Sequence, residues 1–249
     1  MYCKVKIKNH IYNCFYETFG VDTKDPLVIL HGWGVDSSIF KSLVEKLNYY
    51  VIVIDFLGFG KSDMPITALT LEDYVNQVNQ VIKYLKLKNV YMLGHSFGGR
   101  VAIKYNYYYN LDGLILTDSA GIRHFSLKLK KKVLKYKFLK KLYFFTNKKK
   151  YNELIKNSGS RDYKALNTIM KQTMNKVIKV DLKKYCKKTR IKTLILWGIH
   201  DEETKVVDAY TYNDLFYDSR LILFYNSGHF PFIDETEKFI RVVNEVLEH

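Results

Sequence analysis

Short apolar runs alternate with helix-like segments along the chain, and this alternation constrains the fold more than any other feature. The runs are PLVIL (26–30), YVIVID (50–55), VYML (90–93), LDGLILTD (111–118), KTLILW (192–197) and RLILFY (220–225). Because the runs are apolar at most positions and rich in β-branched residues, each predicts a strand that is covered on both faces. Strands that alternate with helices predict an α/β fold with a mostly parallel, doubly wound sheet.

Two further strands and a series of helices complete this prediction. The alternating segments KVKIK (4–8) and IYNCFYE (11–17) predict a β-hairpin at the start of the chain. Helices are expected near 38–47, near 71–86, from about 97, near 206–216 and near 235–247.

The segment 122–191 interrupts the alternation of strands and helices, since it contains helical patterns but no comparable strand. We therefore predict a core domain formed by 1–121 and 192–249, into which 122–191 is inserted as a helical cap. Five apolar residues of the cap recur near one helical face among lysines: Leu127, Leu134, Phe138, Leu142 and Phe145. We expect this stripe to pack on the body; the alternative is a basic amphipathic helix that lies on an anionic membrane.

Positive charge is concentrated in the same segment. Between Arg123 and Lys192 there are 24 lysines and arginines against three acidic residues, whereas the rest of the chain has 16 basic and 22 acidic residues. This concentration favours an anionic substrate, or peripheral contact between the basic cap and a membrane surface. Nucleic-acid binding is not expected, because no recognition motif accompanies the charge.

Other features of the sequence bear on the cellular compartment. No stretch of about 18 uncharged apolar residues occurs, so no transmembrane helix is expected. The amino-terminal MYCKVKIKNH lacks the apolar core of a signal peptide. Cys3, Cys14 and Cys186 are odd in number and widely spaced, which favours free thiols. Together these features predict a cytoplasmic protein.

Ser96 lies in the sequence GHSFGG (94–99), between the strand-like run VYML and a predicted helix. A sharp strand-to-helix turn strains its central residue, and glycines at 94 and 98 relieve the crowding around it. Such a turn presents the hydroxyl at a helix amino terminus, where developing negative charge is favoured. The pattern predicts a nucleophile elbow; the simpler interpretation is a serine that caps the helix beside packing glycines.

A serine nucleophile needs a base, and the base needs an orienting carboxylate. Asp201 and His229 follow the predicted strands KTLILW and RLILFY, and the carboxyl ends of parallel strands share one edge of the sheet. We therefore predict a catalytic triad of Ser96, His229 and Asp201. Asp118, which ends the run LDGLILTD at the same edge, is the competing acid.

Acyl transfer also needs hydrogen-bond donors for the oxyanion of its transition state. We expect these donors to be the backbone N–H groups of Phe97, which follows the nucleophile, and of Trp33, in the loop LHGWGVD (30–36). His31 and His95 are expected to be supporting hydrogen-bonding residues rather than bases.

Two patterns that suggest other chemistry are set aside. The run VIVIDFLGFGKS (51–62) ends like a phosphate-binding loop, but such a loop needs a glycine where Asp55 stands. His31, His200 and His229, together with Asp201, could be imagined as zinc ligands, but they lack the i, i+4 spacing of a helical zinc site. We therefore expect no cofactor and no metal.

Five motifs resemble successive signatures of the α/β-hydrolase family: HGWG (31–34), DFLGFGKSD (55–63), GHSFGG (94–99), WGIHD (197–201) and SGHFPFIDE (227–235). The resemblance spans nearly the whole chain, and the predicted cap lies where family members carry theirs. It implies hydrolysis through a serine triad without a metal or organic cofactor. Haloalkane dehalogenases and epoxide hydrolases use an aspartate nucleophile, whereas this chain has Ser96.

The sequence thus predicts a serine hydrolase, most simply a carboxylic ester hydrolase, that cleaves an ester-like bond of a small-molecule or acyl-chain substrate through an acyl-enzyme. A C–C bond hydrolase of the meta-cleavage type and a perhydrolase would use the same triad. A non-catalytic ligand-binding module on a hydrolase fold is the alternative from a different class.

Overall fold

A computed structural model of the chain describes residues 1–21, 25–47, 49–124, 127–156, 163 and 166–247. Its centre is an eight-stranded sheet with the strand order β1-β2-β4-β3-β5-β6-β7-β8. The strands are β1 Tyr2–Ile7, β2 His10–Phe19, β3 Pro26–Leu30, β4 Tyr50–Ile54, β5 Tyr91–His95, β6 Gly113–Thr117, β7 Thr193–Gly198 and β8 Ser219–Phe224. Strand β2 pairs antiparallel with β1 and β4, and all other pairs are parallel. The predicted fold class is confirmed.

The helices predicted in the core lie near their expected positions, with ends that differ by a few residues, and Pro231–Asp234 is a helix that the sequence did not predict. The described α-helices are α1 Lys41–Val44, α2 Leu71–Tyr84, α3 Phe97–Tyr109, α4 Leu127–Thr146, α5 Lys148–Lys156, α6 Thr168–Val177, α7 Lys183–Cys186, α8 Val206–Leu215, α9 Pro231–Asp234 and α10 Thr236–Leu247. A short 3-10 helix, Ser37–Phe40, precedes α1, so the helix expected near 38–47 is shorter and less regular than predicted. No described helix is long and apolar enough to span a bilayer.

Both faces of strands β3 to β7 are largely covered, as their apolar runs predicted. In β8, at the end of the sheet, only Phe224 is buried, so that prediction is wrong for most of this strand. All five residues of β3 are buried, and the last four alternate between two core clusters on opposite sides of the sheet. Val28 and Leu30 belong to one cluster, and Leu27 and Ile29 belong to the other. This alternation follows from the two-residue repeat of a strand. Parallel pairing places the carboxyl ends of β3 to β8 at one edge of the sheet.

The carboxyl-terminal part of the predicted cap packs on the body. Val177 at the end of α6 and Leu182 before α7 are buried in the same cluster as the sheet. The guanidinium of Arg100, on α3, donates hydrogen bonds to the carbonyls of Val177 (3.4 Å) and Val180 (3.0 Å). These contacts hold α6 and α7 against the central helix α3.

Helices α4 and α5 do not pack on the body as α6 and α7 do, since none of their described side chains is buried. The main packing partner of α4 within the described chain is α5. The expectation that the apolar stripe packs on the body is therefore wrong for Leu134, Phe138, Leu142 and Phe145, which are all exposed. The side chain of Leu127 lies outside the described part of the structure.

Candidate active site

Ser96 forms the turn between β5 and α3. Its backbone has φ +50° and ψ −110°, a conformation that costs energy for any residue with a Cβ. Its side chain makes no capping hydrogen bond to the helix, so the simpler interpretation of Ser96 as a helix cap is wrong. The backbone holds the turn instead, since the Ser96 carbonyl accepts hydrogen bonds from the N–H groups of Gly99 (3.1 Å) and Ala120 (3.0 Å).

Glycines allow the backbone to pack closely around this turn. A Cβ added at Gly98 would lie 2.1 Å from the carbonyl oxygen of Leu30, and one at Gly94 would lie 2.6 Å from the Cα of Gly99. The amino terminus of α3 can therefore approach β3 and β5 only because both positions lack a side chain. This is the crowding that the glycine spacing predicted.

Asp201 and His229 meet at the same edge of the sheet. Their side chains are joined by a hydrogen bond of 2.7 Å between His229 Nδ1 and Asp201 Oδ2. Asp201 also accepts hydrogen bonds from the N–H groups of Glu203 (2.7 Å) and Thr204 (3.0 Å) and from the Thr204 hydroxyl (2.6 Å). Burial by itself raises the pKa of Asp201, but the hydrogen bonds from His229 and Thr204 outweigh it and lower the pKa. An ionised Asp201 places the His229 proton on Nδ1 and leaves Nε2 free to accept one.

His95 connects His229 to the elbow. Its Nε2–H donates a 2.8 Å hydrogen bond to the carbonyl of His229, and the two rings lie 4.7 Å apart. Burial, together with the neighbouring His229, lowers the pKa of His95 to about 3, so its ring is neutral. Because His95 directly precedes Ser96, this contact brings His229 beside the turn. The expectation that His95 is a supporting residue is confirmed.

Asp118 lies beside this pair but does not hold the histidine. Its carboxyl group accepts hydrogen bonds from the Gly198 N–H (3.0 Å) and the Thr117 hydroxyl (2.8 Å). Burial, and then the charge of Asp201, raises the pKa of Asp118 well above its usual value. Side-chain ligand atoms of Asp118, Asp201 and His229 lie within 4.8 Å of one another, but they are engaged in these hydrogen bonds, which a metal would have to displace.

The residues predicted to supply the oxyanion donors belong to two segments that meet at the elbow. Phe97 is the first residue of α3, so its N–H has no partner within the helix. The loop that contains Trp33 packs closely against the elbow. A Cβ added at Gly32, the residue before Trp33, would lie 3.3 Å from Ser96 Cβ. The Trp33 N–H forms no backbone hydrogen bond within the described chain, and the Trp33 ring packs edge-on against Phe97 at 5.2 Å.

Comparison with known proteins agrees with this architecture. The family model of the α/β hydrolase fold matches residues 25–125. Lipase 1 of Psychrobacter immobilis is 26% identical over 90% of this chain and 78% of its own length. An esterase of Exiguobacterium antarcticum is 25% identical, with a TM-score of 0.74 over 100% of both chains. The chain has the α/β-hydrolase fold, and its residues 25–125 match the model of that family. It is also similar to the pimeloyl-[acyl-carrier protein] methyl ester esterase of Wigglesworthia glossinidia brevipalpis, at 26% identity over 87% of this chain and 91% of that one.

His31 supports the first of the site loops of this α/β hydrolase, as expected. Its Nε2 accepts a hydrogen bond from the Phe56 N–H (3.0 Å), so its Nδ1 carries the proton and donates to the Gly32 carbonyl (2.7 Å). Burial lowers the pKa of His31 and so favours this neutral form. The bond with Phe56 links the loop after β3 to the loop after β4, and the bond with Gly32 fixes the ring within its own loop.

Sequence reasoning did not find three residues that position the triad candidates of this α/β hydrolase. Thr204 holds Asp201, and the Asp-x-x-Thr spacing typical of a side-chain-bonded turn was the available signal. Asp234 accepts a hydrogen bond from the Gly228 N–H (3.0 Å), and Glu235 accepts one from the Ser227 hydroxyl (2.9 Å). These two carboxylates of the SGHFPFIDE motif hold the loop that carries His229.

Proposed function

We propose that this α/β hydrolase is a serine hydrolase that cleaves carboxylic esters of small-molecule or acyl-chain substrates. The hydrogen bond between His229 Nδ1 and Asp201 Oδ2, at the sheet edge that bears the strained Ser96, carries the proposal. It fixes an imidazole ring at the sheet edge where a hydroxyl that does not cap its helix also lies, which is the arrangement that a serine nucleophile and its base require. The similarity to proteins named lipase and esterase favours an ester among the possible acyl compounds.

In the proposed reaction, Ser96 Oγ attacks the ester carbonyl while His229 Nε2 takes the hydroxyl proton. The N–H groups of Phe97 and Trp33 stabilise the oxyanion, and Asp201 stabilises the imidazolium. His229 then gives the proton to the departing alkoxide, which leaves an acyl group on Ser96. Water, deprotonated by His229, hydrolyses this acyl-enzyme and restores the free hydroxyl.

The test is Ser96→Ala, assayed with p-nitrophenyl esters of short acyl chains. Without its nucleophile the variant should lose at least about 10³-fold in kcat. A fluorophosphonate probe should label the wild-type enzyme and not the variant, and a thermal melt should show that the variant is folded. Equal cleavage by Ser96→Ala would exclude Ser96 as the nucleophile.

Assays of the wild-type protein with other substrates separate ester hydrolysis from the alternative functions of this site. A C–C bond hydrolase would prefer a vinylogous diketone to the ester, and a perhydrolase would form peracid from hydrogen peroxide and a carboxylic acid. A non-catalytic module would show neither turnover nor labelling of Ser96. Each outcome replaces ester hydrolysis as the function.

We infer two further properties of this enzyme. The concentration of 24 basic residues between Arg123 and Lys192 favours anionic esters as substrates. Added salt should slow the hydrolysis of an anionic ester but not that of a neutral ester of equal chain length.

Cys3, Cys14 and Cys186 are free and buried, which supports the proposed cytoplasmic location. Microscopy of the tagged full chain in its native cell would test that location.

A further inference from the structure

Helix α4 carries apolar side chains on two opposite faces. Tyr136, Leu139 and Tyr143 are half-buried, and Tyr143 lies beneath the Lys150 ammonium of α5 at 5.8 Å. The opposite face is an outward stripe with the i, i+4, i+8, i+11 spacing of one helical face. The stripe consists of Leu134, Phe138, Leu142 and Phe145, whose exposed fractions are 57%, 66%, 40% and 76%. Tyr143 on the inner face thus contacts α5, whereas the stripe is exposed to solvent.

Lysines border this outward stripe. Helix α4 has eight lysines and no acidic residue among its 20 residues. At 3.6 residues per turn, Lys135 lies along one edge of the stripe, and Lys137 and Lys141 lie along the other. All three are exposed, and within the described residues no carboxylate forms an ion pair with them. The surface is thus an apolar strip between two rows of positive charge that the described chain leaves unneutralised.

We propose that the α4–α5 hairpin docks on bilayers that contain anionic phospholipid. The outward stripe would enter the boundary between headgroups and acyl chains, and the bordering lysines would extend along it to reach the lipid phosphates. Charge complementarity favours an anionic surface, since each lysine near such a surface adds to the attraction. A nucleic acid would pair its phosphates with the lysines, but it would leave the four apolar side chains exposed to water. A bilayer accommodates both sets of groups, and docking does not depend on the chemistry proposed at Ser96.

The first measurement is co-sedimentation with vesicles, using the full chain and the inactive Ser96→Ala variant. Both proteins should bind vesicles of phosphatidylcholine mixed with phosphatidylglycerol, and neither should bind vesicles of phosphatidylcholine alone. Added salt should weaken binding, because it screens the lysines. Binding by Ser96→Ala separates this proposal from the proposed hydrolysis.

The second measurement uses the double variant Phe138→Ser/Phe145→Ser, which removes two aromatic rings from the stripe. Its partition coefficient should fall at least about tenfold, because apolar insertion contributes to interfacial binding alongside charge. The matched control is Tyr108→Ser/Tyr210→Ser, which removes two aromatic side chains exposed elsewhere on the body and should leave binding unchanged. Both variants should keep the wild-type rate on a water-soluble ester and the wild-type Tm, since all four side chains are exposed.

The third measurement tests the charges. Lys135→Gln/Lys137→Gln/Lys141→Gln should lose vesicle binding, whereas three equal changes at Lys83, Lys86 and Lys88 should have little effect. Three results would overturn the proposal: no binding to the anionic vesicles, equal binding by the stripe variant and the wild type, or equal losses from the two sets of lysine changes. An RNA oligonucleotide that displaces the vesicles, and binds the stripe variant as well as the wild type, would instead identify a general polyanion surface.

Discussion

At the scale of single residues, two buried carboxyl groups lie side by side in the proposed site with pKa values shifted in opposite directions. Asp201 accepts hydrogen bonds from two backbone N–H groups, the Thr204 hydroxyl and His229. Asp118 accepts one from a backbone N–H and one from a hydroxyl. The larger number of donors favours the ionised form of Asp201, whereas burial favours the neutral form of Asp118.

This difference predicts unequal effects of two isosteric substitutions on activity. Asp201→Asn removes the charge that stabilises the imidazolium and favours the wrong tautomer of His229, so kcat should fall by about 10³ to 10⁴-fold. Asp118→Asn keeps an uncharged, isosteric group at a position where burial favours the neutral acid, so it should change kcat by less than about tenfold. Steady-state kinetics on one ester compares the two variants. The reverse order would show that Asp118 is the acid of the triad.

The raised pKa of Asp118 predicts how stability depends on pH. The folded state binds this proton more tightly than the unfolded state does, so Asp118 makes the free energy of unfolding fall as pH rises from about 3.9 through the folded pKa. Asp118→Asn has no such proton. Urea unfolding from pH 4 to pH 8 should therefore show a smaller loss for the variant than for the wild type. Parallel pH profiles would mean that burial of Asp118 does not shift its titration.

At the scale of elements, the turn from β5 to α3 depends on the close approach of three backbone segments. The Leu30 carbonyl at the end of β3 occupies the space where a Cβ on Gly98 would project. Close packing of α3 against β3 therefore helps to maintain the strained conformation of Ser96.

This packing predicts the effect of a single methyl group. Gly98→Ala should lower the free energy of unfolding by about 1–3 kcal/mol through overpacking. It should also reduce kcat, because the backbone shift that relieves the clash moves Ser96. Gly228→Ala is the matched control, since its nearest neighbour would be the His200 carbonyl at 3.9 Å. Urea unfolding of both variants measures the difference, and similar losses would argue against steric crowding at the elbow.

At the scale of the whole molecule, the chain combines a well-packed sheet with a basic hairpin that has no core of its own. Strand β3 and its neighbours are buried on both faces, whereas no described side chain of α4 or α5 is buried. Helices α6 and α7, which follow the hairpin in the chain, are held to the body. Arg100 donates hydrogen bonds to this segment, and apolar side chains of both helices belong to the main core cluster. Local opening should therefore cost least in the hairpin.

Limited digestion tests this difference in local stability. Trypsin should cut first between Lys128 and Lys156, because the hairpin is lysine-rich and opens without exposing buried side chains. The two fragments should remain associated through the sheet, as native mass spectrometry would show. First cuts at lysines of β1 or α2 would indicate that the body is the less stable part.

The sequence predicted most of the fold and the residues of the candidate site. Apolar runs that alternate with helical segments favour a mostly parallel sheet, so the strands and their mostly parallel arrangement could be predicted, whereas the strand order could not. Ser96, Asp201 and His229 were identified because each follows a strand at the same edge. Their catalytic roles remain predictions, and so does the division into a core and a cap.

The tertiary structure decided what depends on distance between segments that are remote in the chain. Asp118 and Asp201 occupy equivalent places in the sequence pattern, and only the 2.7 Å contact with His229 separates them. Phe138 and Tyr143 are both apolar positions of one lysine-rich helix, and only the path of the chain exposes one and half-buries the other. Periodicity states which residues share a face, because it follows from backbone geometry. What covers that face depends on where the rest of the chain folds back.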